Sequence, residues 1–100
     1  MSERDSIILL AELAFAEPVA ETELLALAAL VSATRQEPGC LEYIAHVHVE
    51  NPRRVLFYER WQDQAALDAH NASAHLAEFR AVVGPRLAAP PQLGFWKRLG

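Results

Sequence analysis

Two alternating stretches joined by a short turn constrain this chain more than any other feature. In Leu41-Glu42-Tyr43-Ile44-Ala45-His46-Val47-His48-Val49, polar and apolar positions follow the two-residue period of a strand. Tyr43, Ala45, Val47 and Val49 then share one face, and Glu42, Ile44, His46 and His48 share the other. Glu50-Asn51-Pro52-Arg53 is made of turn residues. From Val55 to Trp61 a second strand follows, with Val55, Phe57, Glu59 and Trp61 on a common face. An antiparallel hairpin is expected at the centre of the chain.

The flanking segments fit around that hairpin. Ile7 to Phe15 is an almost continuous apolar run that begins with β-branched residues, the pattern of a strand covered on both faces. Glu12 interrupts it, and a carboxylate in such a strand is costly unless it is paired or faces a cavity. Pro18 suits the first position of a helix, and Glu17, Glu21 and Glu23 complement its positive end. Leu24, Leu27, Ala28 and Val31 fall on one helical stripe. Arg35 lies in the last turn, and Glu37-Pro38-Gly39 ends the helix. Asp63 caps a short helix running to about His70, Asn71-Ala72-Ser73 breaks it, and Ser73 caps another from His75 to about Val83. Gly84-Pro85 ends or kinks that helix, Pro90-Pro91 bars more, and Leu93 to Leu99 reads as a last strand. The order β-α-β-β-α-β is the α+β, ferredoxin-like arrangement with an antiparallel sheet. Residues 1–6 form a polar tail, and residues 7–100 form the domain.

That topology places the helices on one sheet face only. The chain is short, at 100 residues, yet 52% of it is apolar. Its strands are apolar on both sides, so a lone copy would expose a patch larger than soluble monomers usually carry. A homodimer packed sheet to sheet is therefore expected. The net charge of −4 comes with no basic stripe, which gives no support to nucleic-acid binding. Cys40 is the single cysteine and cannot form an internal disulfide. The polar N-terminus does not resemble a secretory signal, and the longest near-apolar run, Leu24 to Val31, is too short to cross a bilayer. A cytoplasmic protein free of the membrane is expected.

Four histidines are the main candidates for chemistry. His46 and His48 could offer two imidazoles to a metal, but no motif supplies further ligands, and no metal is expected. His70 and His75 flank the helix break, and either could reach a cavity between helices and sheet. A neutral imidazole there is suited to taking a proton from a phenol or enol. Glu59, Phe57 and Trp61 together read as a cavity wall for a planar ligand, or as a paired acid beside core aromatics. Cys40 reads as a structural thiol. There is no G-x-G-x-x-G, phosphate loop or G-x-S-x-G elbow, which argues against nucleotide cofactors and serine hydrolases.

Taken in order, several pieces resemble one family. Glu37-Pro38-Gly39-Cys40-Leu41-Glu42-Tyr43 is similar to an E-x-G-C-x-x-Y helix-to-strand junction. Phe57-Tyr58-Glu59-Arg60-Trp61, Ala66-Leu67-Asp68-Ala69-His70 and Ser73-Ala74-His75 resemble an E-x-W, A-L-x-x-H, T-P-H series. This is the pattern of the antibiotic biosynthesis monooxygenase domain, whose members include small quinol monooxygenases and autoinducer-degrading relatives. The resemblance implies a dimeric α/β barrel with a pocket between sheet and helices in each subunit. It also implies oxidation of a quinol-like or phenolic substrate by O2 without metal, flavin or haem. On that basis His70 or His75 is the expected base, and Glu59 orients it or the substrate. Trp61, Phe57 and Phe79 line the pocket, Tyr43 donates a hydrogen bond, and Glu12 completes the polar end. Alternatives are an isomerase or degrading enzyme for a small signal metabolite, with Arg53, Arg54 and Arg60 as phosphate contacts, or a non-catalytic binding dimer. Two departures stand out. Ala74 replaces the family's proline, and Arg80 stands where haem-degrading relatives carry a histidine.

Overall fold

The structure, a computed structural model, describes residues 5–100. Of the expected tail 1–6, residues 1–4 lie outside the described part. Ser6 is already buried, so packing begins one residue before the expected boundary.

The elements are β1 (Ile7–Ala14), α1 (Glu21–Arg35), β2 (Cys40–Val47), β3 (Arg54–Trp61), α2 (Gln64–Asn71), α3 (Ala74–Val83) and β4 (Gln92–Trp96). A single turn of 3-10 helix, Gly84–Arg86, follows α3. The sheet runs β2-β3-β1-β4 with every pairing antiparallel. The ferredoxin-like α+β arrangement read from the sequence is the observed one, with its second helical segment divided into α2 and α3.

Register fixes which side chains meet. Tyr43, Glu59 and Leu9 lie in one row across the inner, helix-covered face. Ala45, Phe57 and Ala11 form the next row. The core sits between this face and the helices, and Trp61, Phe57, Leu67 and Val83 are almost wholly enclosed. Ile44, Tyr58 and Leu10 make a corresponding row on the outer face, which no helix covers.

Several boundaries differ from expectation, for physical reasons. Helix α1 starts at Glu21 rather than near Pro18. Ala16 N–H donates to Arg86 and Val19 N–H to Pro52, and these bonds hold the segment as an extended connection. The buried stripe of α1 is Glu23, Leu27, Leu30 and Thr34, so of the expected stripe only Leu27 is fully buried. Leu24-Leu25-Ala26-Leu27-Ala28-Ala29-Leu30-Val31 is apolar all round, and such a run does not select a face by periodicity. Strand β4 stops at Trp96 instead of Leu99 because its partner β1 begins at Ile7 and offers almost no ladder beyond that point.

Candidate active site

Three junctions in the chain converge on the site. The first is the turn from α1 to β2. Gly39 adopts φ of 85°, which glycine enters without steric cost. A Cβ at Gly39 would lie 2.6 Å from the Ala66 Cβ, so the missing side chain also lets α2 approach the turn. The second is the start of α2, and the third is the break between α2 and α3. Asp63 caps α2 by accepting from the Ala66 N–H, and Ser73 caps α3 by accepting from the Leu76 N–H. Both caps fall where the sequence places them.

Glu37 comes from the first junction, His70 from the last turn of α2, and His75 from the first turn of α3. Nδ1 of His70 lies 2.7 Å from Glu37 Oε2, and Nε2 of His75 lies 2.8 Å from the same oxygen. With Glu37 ionised, both imidazoles donate to it. The His70 side chain is 3% exposed, Glu37 13% and His75 27%, so the cluster runs from the interior toward solvent. The His70 ring packs 4.7 Å from Trp61 and 5.3 Å from Tyr43, centroid to centroid. Burial lowers the pKa of His70, and its hydrogen bond to Glu37 works in the opposite direction.

Beside this cluster is a cavity of about 130 Å3 between the sheet and α1, α2 and α3. Its floor includes Leu9, Ala11, Tyr43, Phe57 and Glu59, its roof Leu30, Leu76, Phe79 and Val83, and its lining also takes in His70, Asn71 and Arg80. Few polar groups interrupt the apolar wall, as is usual for small-molecule sites. Glu37 engages Nδ1 of His70, a residue that lines the cavity; with the Nδ1 proton donated to Glu37, the lone pair of the neutral ring is on Nε2.

Glu59 is almost fully buried, and its Oε1 accepts from the Trp61 indole N–H at 3.0 Å. Burial pushes the carboxyl up to about 7, while the indole bond pulls it down and the Glu37 charge raises it further. Near neutral pH this group therefore divides between a protonated donor and a carboxylate. Burial also pushes the Tyr43 hydroxyl far above its ordinary range, so it remains a neutral phenol.

The sequence candidates thus separate. His70, Glu59, Phe57, Tyr43 and Phe79 all line the cavity. Trp61 does not reach its surface: it is completely enclosed and acts behind the wall, bonded to Glu59 and stacked near His70. His75 contacts Glu37 and is not part of the cavity lining. Glu12 stands on the opposite sheet face, where it pairs with Arg54, because it is one residue out of phase with Leu9, Ala11 and Leu13. It cannot complete the polar end of this cavity. The carboxylate that holds His70 is Glu37, whereas Glu59 bonds to Trp61. Sequence patterns mark Glu37 only as part of the helix stop and the junction motif, with no sign of this role. Arg80 also lines the cavity, whereas the sequence marks it only as a departure from the haem-degrading relatives.

The remaining candidates have separate tasks. His48 Nδ1 accepts from the Glu50 and Asn51 amides and braces the hairpin turn, while His46 Nδ1 approaches the Leu56 carbonyl. Cys40 is half-buried, and burial pushes its thiol up to about 11, far from a reactive thiolate. Arg53 lies near Glu17, Arg54 pairs with Glu12 and Arg60 pairs with Glu42, so none of the three arginines considered for phosphate binding lines the cavity.

Comparison with known proteins agrees with this architecture. The chain is 39% identical over 62 residues to "Putative monooxygenase Rv0793" of Mycobacterium tuberculosis, covering 62% of this chain and 60% of that relative. The chain therefore spans less than two thirds of the length of that curated relative. A Pseudomonas aeruginosa structure, PA3566, superposes with a TM-score of 0.88 at 28% identity over 100% of both chains. A Nitrosomonas europaea structure described as a putative antibiotic biosynthesis monooxygenase shares the fold, with a TM-score of 0.86 at 18% identity over 99% of this chain and 95% of that one. The family model described as antibiotic biosynthesis monooxygenase matches residues 6–82, a span that contains Glu37, Tyr43, Glu59, His70, His75 and most of the roof of the cavity. With most of its length matched in this way, the chain belongs to the antibiotic biosynthesis monooxygenase family.

Proposed function

We propose that this protein oxidises a quinol-like or phenolic small molecule with O2, without a cofactor, in the cavity beside His70. The observation that carries this reading is the Glu37–His70 bond at a residue lining an apolar cavity, an arrangement in which a neutral His70 would serve as base through Nε2. His70 takes the proton of the bound hydroxyl or activated methylene, and the adjacent Glu37 carboxylate compensates the imidazolium that forms. Glu59 and Tyr43 orient the substrate oxygen, and Phe57 and Phe79 hold its ring. Once deprotonated, such a substrate is electron-rich enough to pass an electron to O2 itself. For an anthrone-like methylene, the carbon loses both hydrogens and keeps one oxygen atom as a carbonyl. The other oxygen atom leaves with those hydrogens as water, so atoms and electrons balance without an external reductant. The cavity is close to the roughly 150 Å3 apolar hole that accommodates benzene, so one ring fits inside and the rest of a larger substrate lies toward Arg80.

The protein acts as a homodimer, with a second copy covering the outer sheet face and completing a dimeric α/β barrel. Support comes from the apolar groups there: Leu10, Leu56 and Tyr58 are only half-buried, and Ile44 and Trp96 are exposed. No described helix is long and apolar enough to cross a membrane, and the lone Cys40 suits the cytoplasm.

Oxygen uptake with a menadiol and anthrone panel tests the reaction. Uptake above autoxidation that is lost in His70→Ala, His75→Ala supports it. Uptake no greater than that of the double variant rejects it, and ligand binding without uptake would favour a binding dimer.

A further inference from the structure

We propose that Glu37 Oε2, His70 Nδ1 and His75 Nε2 form a binding site for one divalent transition cation, and that filling it withdraws the His70 Nε2 lone pair from the cavity. The three ligand atoms all lie within 4.8 Å of one another, and they come from three different parts of the fold. Two imidazoles and one carboxylate are the donor set of borderline cations such as Zn2+, Co2+ or Ni2+; Ca2+ and Mg2+ prefer oxygen donors throughout. Three protein ligands leave a fourth position for water, which can enter from the side of the partly exposed His75.

The required movement is a rearrangement of side chains within the cluster. Metal bonds of about 2.0–2.1 Å place tetrahedral ligand atoms about 3.3 Å apart. Glu37 Oε2 is now 2.7 Å from one nitrogen and 2.8 Å from the other, so it must draw back by roughly half an ångström, while the two nitrogens, within 4.8 Å of each other, must close toward about 3.3 Å. His75 lies in the first turn of α3 with its side chain 27% exposed, and Glu37 lies in a turn, so both have room to give. Electrostatics favour occupancy as well. The only ion-pair partners of Glu37 among the described residues are these two histidines.

Coordination also moves protons in a defined way. Each imidazole now donates to Glu37 from the atom that would bind the cation. Binding requires the His70 proton to leave Nδ1 and reside on Nε2, and the His75 proton to leave Nε2 and reside on Nδ1. Both rings stay neutral and no electron moves. In the filled state His70 presents N–H to the cavity in place of a lone pair. The consequence for catalysis, inhibition by the cation, rests on the oxygenase reading, whereas the site itself does not.

The test uses the full chain with Zn2+ alone as the probe, in equilibrium dialysis, together with 15N NMR of the histidine side chains. One saturable Zn2+ per chain is expected, at least about tenfold weaker in His75→Gln, and unchanged in His46→Gln, His48→Gln. The NMR spectrum should show the His70 proton moving from Nδ1 to Nε2 as Zn2+ is added. If circular dichroism shows His75→Gln to be unfolded, Glu37→Gln replaces it with the same expectation. Absence of saturable binding, binding that survives loss of the ligand, or binding lost with His46 and His48 overturns the site. A His70 ring that keeps its proton on Nδ1 at saturation overturns the tautomer change. None of these readouts depends on turnover, so a chain that binds Zn2+ but consumes no O2 refutes the oxygenase reading and leaves the metal site standing.

Discussion

Glu37 and His70 are 33 positions apart in the chain, yet their Oε2 and Nδ1 atoms lie 2.7 Å from each other. The contact joins the end of α1 to the end of α2 and determines which nitrogen of a buried imidazole remains free.

Removing the carboxylate should therefore affect both stability and reaction. In Glu37→Ala the buried His70 N–H loses its acceptor, a loss of about 1–3 kcal/mol. Each kcal/mol lowers Tm by roughly 4–8 °C in a domain of this size. Urea denaturation should show that loss, and kcat should fall by about 10²–10⁴ if the base is disoriented. A variant as stable and active as wild type would make the contact incidental.

Glu59 should make stability depend on pH. Its folded-state pKa, about 7, lies above the unfolded value near 4.5, so the folded chain binds more protons between those limits. Stability then decreases as pH rises from about 4.5 to 7, and the full penalty persists above 7. Glu59→Gln mimics the protonated acid and should be more stable than wild type at pH 8, by on the order of 3 kcal/mol, and nearly equal to it at pH 4.5. Parallel denaturation curves at the two pH values check this. An equal difference at both would mean that the carboxylate is not destabilising when charged.

Gly39→Ala should be damaging out of proportion to its size. A left-handed backbone costs an L-residue about 1–2 kcal/mol, and the new methyl would also meet Ala66 at 2.6 Å. We expect a total of about 2 kcal/mol or more, together with reduced turnover, because the same turn carries Glu37. Thermal melts and oxygen uptake measured together test the coupling; a loss of stability without any loss of rate would separate the turn from the site.

If the outer sheet face is the interface of the proposed homodimer, Tyr58→Glu should separate the dimer while preserving the protomer. Tyr58 stands between Leu10 and Ile44 on the outer face, where a charge would have to be buried against a covering copy. Sedimentation should move from dimer to monomer with the circular dichroism spectrum retained. A monomeric wild type, or a dimeric variant, would assign that face another role.

Element order, the central hairpin and both helix caps are legible in the sequence because they depend on local chemistry. Alternation from Tyr43 to Val47 and from Val55 to Trp61 sets faces with period two, and Asp63 and Ser73 satisfy amides only three residues ahead. Glu59, Phe57 and His70 can be named from the strand faces and the helix break, whereas Tyr43 and Phe79 are named through the family resemblance. Trp61 is harder to place, since a fully enclosed ring and a cavity wall share one sheet face and one sequence pattern. Glu12 is misplaced by the sequence reading because the apolar run around it hides the alternation that would show its side.

Local chemistry along the chain was enough to set which residues could be buried, where the backbone turns and which family pattern it carries. Long-range packing settled the rest: Glu37, rather than Glu59, holds His70, His75 shares the same oxygen, and α1 buries Leu30 instead of Leu24. Hydrogen bonds between groups more than thirty residues apart arise only when separate elements pack, and no local periodicity encodes their final separation.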